Sequence, residues 1–215
     1  MTFDDLVRRA KALVKDGRRA VLGITGAPAA GKTTLAEELV KAIDSEWAAH
    51  VPMDGFHLAD VELSRLGRRD AKGAPDTFDA LGYAALLKRL HDDEDDVIYA
   101  PGFERVIEQP IAGAIPVFRS ARLIVSEGNY LLVGDGPWPK VAPLLTEVWY
   151  ADLDQEERIT RLIDRHRRFG KDEADAVEWA TGTDERNAQI ILATRERADL
   201  IVPAALLRDL GTPPA

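Results

Sequence analysis

Gly26-Ala27-Pro28-Ala29-Ala30-Gly31-Lys32-Thr33 meets the pattern G-x-x-x-x-G-K-[ST] at every required position. Its flanks agree with it. Ala20-Val21-Leu22-Gly23-Ile24 is a short apolar run that reads as a buried strand, and beyond Thr34 the residues Leu35, Ala36, Leu39, Val40 and Ile43 recur at helical spacing. Strand, glycine loop and helix in that order make a cradle for phosphate. The glycines let successive N–H groups turn toward one anion, and the helix start adds unpaired donors and a partial positive charge. In such a loop Lys32 reaches the β- and γ-phosphates of a nucleotide, and the Thr33 hydroxyl ligates Mg²⁺. The alternative is an ordinary helix start with a solvated lysine. A cation in a first helical turn opposes the helix dipole by about 0.3–1 kcal/mol unless an anion sits there, which favours the nucleotide.

The 215 residues suit a single α/β domain, spanning 1–215, with an insertion. A hydrophobic share of 46% beside 30% charged residues is globular rather than disordered. With 28 Lys and Arg against 37 Asp and Glu, the formal charge is −9, which argues against nucleic acid or an acidic membrane as partner. A small anion stays allowed, because its site is local. The absence of cysteine excludes disulfide and thiolate chemistry. No apolar run reaches the ~18 residues of a membrane span, and Met1-Thr2-Phe3-Asp4-Asp5 lacks the form of a signal peptide. The expectation is a cytoplasmic protein; a homodimer is left open.

Phe3, Leu6, Val7, Ala10, Leu13 and Val14 form one face of an opening helix that stops at Asp16-Gly17. Residues 47–52 read as a second strand running into Met53-Asp54-Gly55-Phe56-His57. Ligands of open parallel sheets collect at the carboxyl ends of strands, so Asp54 stands where a carboxylate can take the proton of an attacking hydroxyl. Asp-Gly is equally a turn dipeptide, and spacing alone does not choose. Residues 58–78 are rich in charge and read as an irregular excursion, after which Asp79 caps a helix carrying Leu81, Leu86, Leu87 and Leu90. His91-Asp92-Asp93-Glu94-Asp95-Asp96 reads as a solvated helix end rather than a metal site. Val97-Ile98-Tyr99-Ala100 and Ile115-Pro116-Val117-Phe118 predict a hairpin, part of an insertion at about 55–118 that can wall an acceptor pocket. Arg105 within it is either an acceptor contact or a surface arginine.

Residues 122–126 predict a third strand ending in Glu127, where such a site places the acid that orients Mg²⁺. Residues 147–151 predict a fourth, followed by a helix for which Asp154 and Glu157 read as a capping pair. Ile159, Leu162 and Ile163 make its core face; Arg158, Arg161, Arg165 and Arg168 lie beside it. Bases at a helix end suit the dipole, but arginines near Gly170 can also form a lid, about 165–182, that closes on the γ-phosphate. Asp184 is expected to cap the last long helix, with Ile190, Ile191 and Thr194 inward, before a fifth strand at 200–202 and a frayed Thr212-Pro213-Pro214-Ala215. The histidines show no metal-ligand spacing.

With these pieces placed, the chain resembles the P-loop kinase superfamily of uridine kinase, phosphoribulokinase and bacterial-type pantothenate kinase. Its likeness is greatest to the pantothenate-kinase-like branch that includes nucleoside and fructose-transport kinases. The likeness rests on residues 23–34, on Met53-Asp54-Gly55-Phe56-His57, on Lys72-Gly73-Ala74-Pro75-Asp76-Thr77-Phe78-Asp79, on residues 99–110, on Glu127-Gly128, on residues 165–171 and on residues 187–202. It implies a three-layer α/β sandwich around a five-stranded parallel sheet, with ATP and Mg²⁺ as cofactors and a small-molecule hydroxyl as acceptor. It implies catalytic roles for Lys32, Asp54, Arg165 and Arg168, and metal roles for Thr33 and Glu127. ATP contacts are implied from Gly26 through Thr34 and, near the adenine, for Asn187 and Arg195. Acceptor contacts are implied for Asp54, His57, Tyr99, Arg105 and Tyr130. Uridine kinases carry an acid just before the proline of the Pro75 motif; here Lys72, Gly73 and Ala74 stand there, the form of the pantothenate-kinase side, although the chain is short for a full pantothenate kinase. The rival expectation is a nucleotide-dependent switch or regulatory ATPase with no small acceptor.

Overall fold

The computed structural model describes residues 1–170 and 172–211; Lys171, which ends the basic stretch, and the expected frayed tail lie outside the described residues. Its strands are β1 (Ala20–Thr25), β2 (Ala48–Pro52), β3 (Val97–Glu104), β4 (Gln109–Phe118), β5 (Leu123–Glu127), β6 (Glu147–Asp152) and β7 (Leu200–Pro203). Its helices are α1 (Phe3–Lys11), α2 (Lys32–Ile43), α3 (Asp60–Arg65), α4 (Ala80–Asp92), α5 (Gln155–Arg168), α6 (Glu173–Thr181), α7 (Thr183–Leu192) and α8 (Ala204–Gly211).

β1 and β5 are buried along their whole length, the mark of strands covered on both faces. Five strands pair in parallel in the order β2-β5-β1-β6-β7. The pleat sends alternate side chains to two cores. Val21 and Ile124 join Tyr83, Leu87, Tyr130 and Trp138 on one face; Leu22, Ile24 and Val125 join Leu6, Leu35, Leu39 and Trp149 on the other. The chain leaves β1 toward β2 and β5, then returns past it to β6 and β7. The carboxyl end of β1 is thus the point of reversal where such sheets bind ligands.

The expected hairpin forms as a separate two-stranded sheet, β3 against β4, with Val97 opposite Phe118 and Glu104 opposite Gln109. A buried arginine ties its base to the main sheet. Arg19 donates to the carbonyls of Ala121 (2.8 Å), Leu90 (3.2 Å) and Phe118 (3.2 Å), and its guanidinium lies 3.0 Å from the Asp93 carboxylate. One side chain therefore joins the start of β1 to the ends of α4 and β4.

Asp79 caps α4 as expected, accepting from Gly82 N at 2.8 Å. The acidic run after it is spent on ion pairs, Asp92 with Lys88 and Asp95 with Arg89 at the surface, and the half-buried Asp93 with Arg122 and Arg19. Three expectations are corrected. Asp154 caps nothing: Arg208 of α8 takes both Asp154 and Glu157, because a helix packed alongside offers a charge that a bare helix end does not. Asp184 stands inside the first turn of α7, turned toward α5. Ile190 and Leu81, placed on apolar faces by spacing, are exposed. Residues 58–78 are also less irregular than expected, holding α3 and two 3-10 turns.

Candidate active site

The glycine loop leaves β1 beside the end of β6. Gly26 has φ +151°, and a Cβ there would come 2.7 Å from the carbonyl oxygen of Ala151, so only glycine lets the loop pass. α2 begins at Lys32, which is buried. Its Nζ donates to the carbonyls of Gly26 (2.9 Å) and Ala27 (3.0 Å), holding the ammonium over the loop. Burial lowers its pKa to about 8 against the opposing pull of Glu127 and Asp54. Pro28, Ala29, Gly31, Lys32, Thr33 and Thr34 line the cleft, whereas Ala27 and Ala30 are packed behind it.

Thr33 donates its hydroxyl to Oε1 of Glu127 at 3.1 Å. Glu127 ends β5 one strand from the loop, and its carboxylate is almost fully buried. Burial, reinforced by the charge of Asp54, raises its pKa to about 7. On the adjoining β2, His50 sets Nε2 at 3.8 Å from Glu127 Oε1, too far for a hydrogen bond. That nitrogen is buried with no partner, and burial holds the ring's pKa down at about 4, so it is neutral.

Asp54 lies on a 3-10 turn, Met53–Phe56, that follows β2. The turn presses against the hairpin: a Cβ on Gly55 would fall 2.2 Å from the Pro101 carbonyl oxygen. Glycine is thus required there by close approach of β3, and the turn aims Asp54 into the cleft. Arg105, in the turn after β3, donates from Nη2 to Asp54 Oδ2 at 3.0 Å. Burial alone would raise the Asp54 pKa; His57, Arg105, Lys32 and Arg165 overcome it and the net shift is downward. His57 is itself shifted down by burial, so near neutral pH the arginines and Lys32 carry this effect. The His57 ring packs on Phe78 (centroids 4.0 Å) and Phe103 (4.7 Å), with its Nδ1 2.8 Å from the Asp54 carbonyl oxygen.

The far wall comes from α5 to α7. Arg161, Arg165 and Arg168 recur along one face of α5 and all line the cleft, while Arg158 is buried against Glu185. Arg165 is half-buried, and burial lowers its pKa. His166 meets Asp184 at 2.6 Å, which explains the inward turn of that acid. Asn187 reaches the cleft and donates to the carbonyl of Gly73 at 3.3 Å.

The cleft, about 930 Å³, thus brings together Lys32, Thr33, Asp54, His57, Arg105, Glu127, Arg165, Arg168 and Asn187. Of the residues expected outside the glycine loop, Tyr99, Tyr130 and Arg195 stay out of it. Tyr99 is 62% exposed on the outer side of β3. Tyr130 is fully buried, its hydroxyl spent on the Gly73 carbonyl beneath the Lys72-Gly73 turn. Arg195 pairs with Asp152 (2.8 Å) and Glu196 (2.7 Å) beyond the end of β6. In return the cleft includes Lys72, Arg161, His166, Asp184 and Trp179, which were not expected as site residues. The arginines at 161, 165 and 168 were the available signal; the His166–Asp184 contact spans 18 positions and left none.

No family model matches the chain. A Schizosaccharomyces pombe protein named as a candidate uridine kinase is 32% identical over 221 residues, covering 98% of this chain and 94% of its own. A pantothenate kinase of Mycolicibacterium gilvum is 27% identical over 186 residues, covering 82% of this chain and 58% of its own. The crystal structure of a candidate fructose transport system kinase from Silicibacter sp. TM1040 superposes with a TM-score of 0.86 at 33% identity, covering 94% of this chain and 100% of that one.

Proposed function

Because the chain belongs to the P-loop kinases that include the uridine and pantothenate kinases, an ATP-dependent phosphotransferase with a small-molecule hydroxyl as acceptor, we propose the following division of labour in its cleft. The relatives named above as kinases favour this reading over a switch without an acceptor. The loop from Gly26 to Thr34 cradles the triphosphate with its N–H groups. Lys32 exchanges its bonds to Gly26 and Ala27 for phosphate oxygens, where its charge is offset instead of merely buried. Asp54 accepts the proton of the acceptor hydroxyl as its oxygen attacks the γ-phosphorus. Arg165 and Arg168 face the transferred group from α5 and limit entry of water.

Mg²⁺ fits the same cleft. Among the described residues no three His, Cys, Asp or Glu converge as a ready metal cage. The Thr33 hydroxyl and the buried Glu127 carboxylate are instead paired hard-oxygen groups, suited to a hydrated cation that takes its remaining ligands from phosphate. Thr33 would hold the ion and Glu127 its hydration shell. Bound there, the ion would supply charge neutralisation of the β- and γ-phosphate oxygens.

The observation that carries the reading is that Lys32, Thr33, Asp54 and Glu127, from three separate segments, open onto one cleft. Asp54→Asn should lower kcat by roughly 10²–10⁴-fold, the usual worth of general base catalysis, with nucleotide affinity nearly unchanged. Turnover and ATP-analogue binding measured on the same variant check it; full turnover would remove the role of Asp54.

A further inference from the structure

The acceptor side of the cleft lies under the hairpin, and its chemistry is specific. Its floor is aromatic, with His57 between Phe78 and Phe103. Its rim is basic. The Arg105 guanidinium and the Lys72 ammonium both lie 5.7 Å from the Phe103 ring centroid. Lys72 is held by Asp60 at 2.7 Å and by the Glu108 carbonyl, and Arg69 reaches the same Asp60 at 3.2 Å. Arg105 is held by Asp54. Arg69, Lys72 and Arg105 thus share two carboxylates, Asp60 and Asp54, on this side of the cleft.

The Arg105–Asp54 pair poses a chemical difficulty. Arg105 engages one of the two Asp54 oxygens, Oδ2, and its charge makes the whole carboxylate a weaker base. A neutral alcohol or water offers Arg105 only an uncharged acceptor in exchange. A second anion offers a charged one, and a guanidinium binds carboxylate and phosphate equally well through two parallel N–H groups. Arg105 is placed for such an exchange: its side chain is 42% exposed, in the short turn between β3 and β4.

We propose that the acceptor is an alcohol carrying its own anionic group, carboxylate or phosphate, and that this group draws Arg105 off Asp54, so the base is released only when the acceptor is seated. The proposal rests on the kinase reading with Asp54 as base. In the step that follows, the acceptor hydroxyl gives its proton to Asp54. Its oxygen forms a bond to the γ-phosphorus, and the bond from that phosphorus to the β–γ bridging oxygen breaks to leave ADP. Arg105 and Lys72 stay neutralised by the acceptor's anion while Asp54 is protonated. Arg105 is thus a specificity-determining residue that also restrains ATP hydrolysis.

The test follows ADP release by the full chain with Mg²⁺ and ATP. The added alcohols are small hydroxy acids, sugar phosphates, the amides or methyl esters of the same hydroxy acids, and neutral sugars and nucleosides. The proposal expects stimulation by anionic alcohols and a loss of roughly 10–100-fold in kcat/KM on neutralising the anion, the worth of a hydrogen bond to a charged group. Stimulation by hydroxy acids identifies carboxylate as the anion, and by sugar phosphates phosphate; either supports it. Arg105→Gln should raise KM for the anionic acceptor, shrink the anionic-over-neutral preference and increase ADP release without any acceptor. Arg105→Lys should restore part of the preference. Unchanged affinity for an ATP analogue shows that the variants are folded. Equal service by neutral alcohols, or an Arg105→Gln preference equal to wild type, overturns the proposal while leaving the kinase reading intact. No stimulation by any alcohol overturns both.

Discussion

Lys32 and Glu127 sit in one buried neighbourhood, and burial pushes each toward its neutral form, the lysine down to about 8 and the glutamate up to about 7. A pre-formed site with ions held out of water is suited to a polyanion and its counter-cation, which relieve both. The sign for stability follows from proton binding. Between the ordinary 4.5 and about 7, the folded protein holds a proton on Glu127 that the unfolded chain releases, so stability falls as pH rises through that window. Glu127→Gln lacks this term. Measured without nucleotide, its Tm should rise relative to wild type as pH goes from about 4.5 to 7 and then level off; a difference independent of pH would contradict the burial argument. At this scale the sequence was legible where a local pattern demands a residue type, as at Lys32 and Thr33. Asp54 was ambiguous, because what turns it inward is the press of Pro101 on Gly55, a contact between segments 46 positions apart. Tyr130 was misread for a related reason: an aromatic beside Glu127 gives no sign that a distant carbonyl claims its hydroxyl.

Among the elements, strands and helices were the most legible, since apolar runs and helical spacing are local properties. What fixes elements against one another was not. Arg19 reads as one more charge before β1, yet it is among the most buried polar side chains and donates to three carbonyls from separate segments. Arg19→Met should destabilise the fold by ~2–4 kcal/mol, because the carbonyls of Ala121 and Leu90 lose a buried donor and Asp93 is left with Arg122. Arg89→Ala, which removes an exposed pair with Asp95, should leave stability nearly unchanged. Urea unfolding of the two variants checks the contrast. The same logic explains the failed cap at Asp154: helix ends are read from neighbours in sequence, and Arg208 arrives from 54 positions away.

At the level of the molecule, the cleft lies at the reversal of the sheet and gathers groups from β5, α2, α5, α7 and the hairpin turn. A ligand that spans it ties these segments together. An ATP analogue with Mg²⁺ at about 100 times its Kd should therefore add about 2.7 kcal/mol, which in a chain of this size is a rise in Tm of roughly 5–10 °C. Lys32→Ala should abolish most of that rise, and thermal melts with and without nucleotide would show it. No helix among the described residues is long and apolar enough to cross a membrane.

The hairpin pairs only with itself, hangs beside the main sheet, and holds Arg105 at its tip side and the Arg19 anchor at its root. On the proposed reading, selection among alcohols and the handling of the triphosphate fall to different stretches of chain. Descendants of such a gene could recharge the exposed turn around Arg105 and try new metabolites, while the buried root of the hairpin at Ile98, Ala100 and Val117 and the nucleotide grip pass unaltered from one generation to the next.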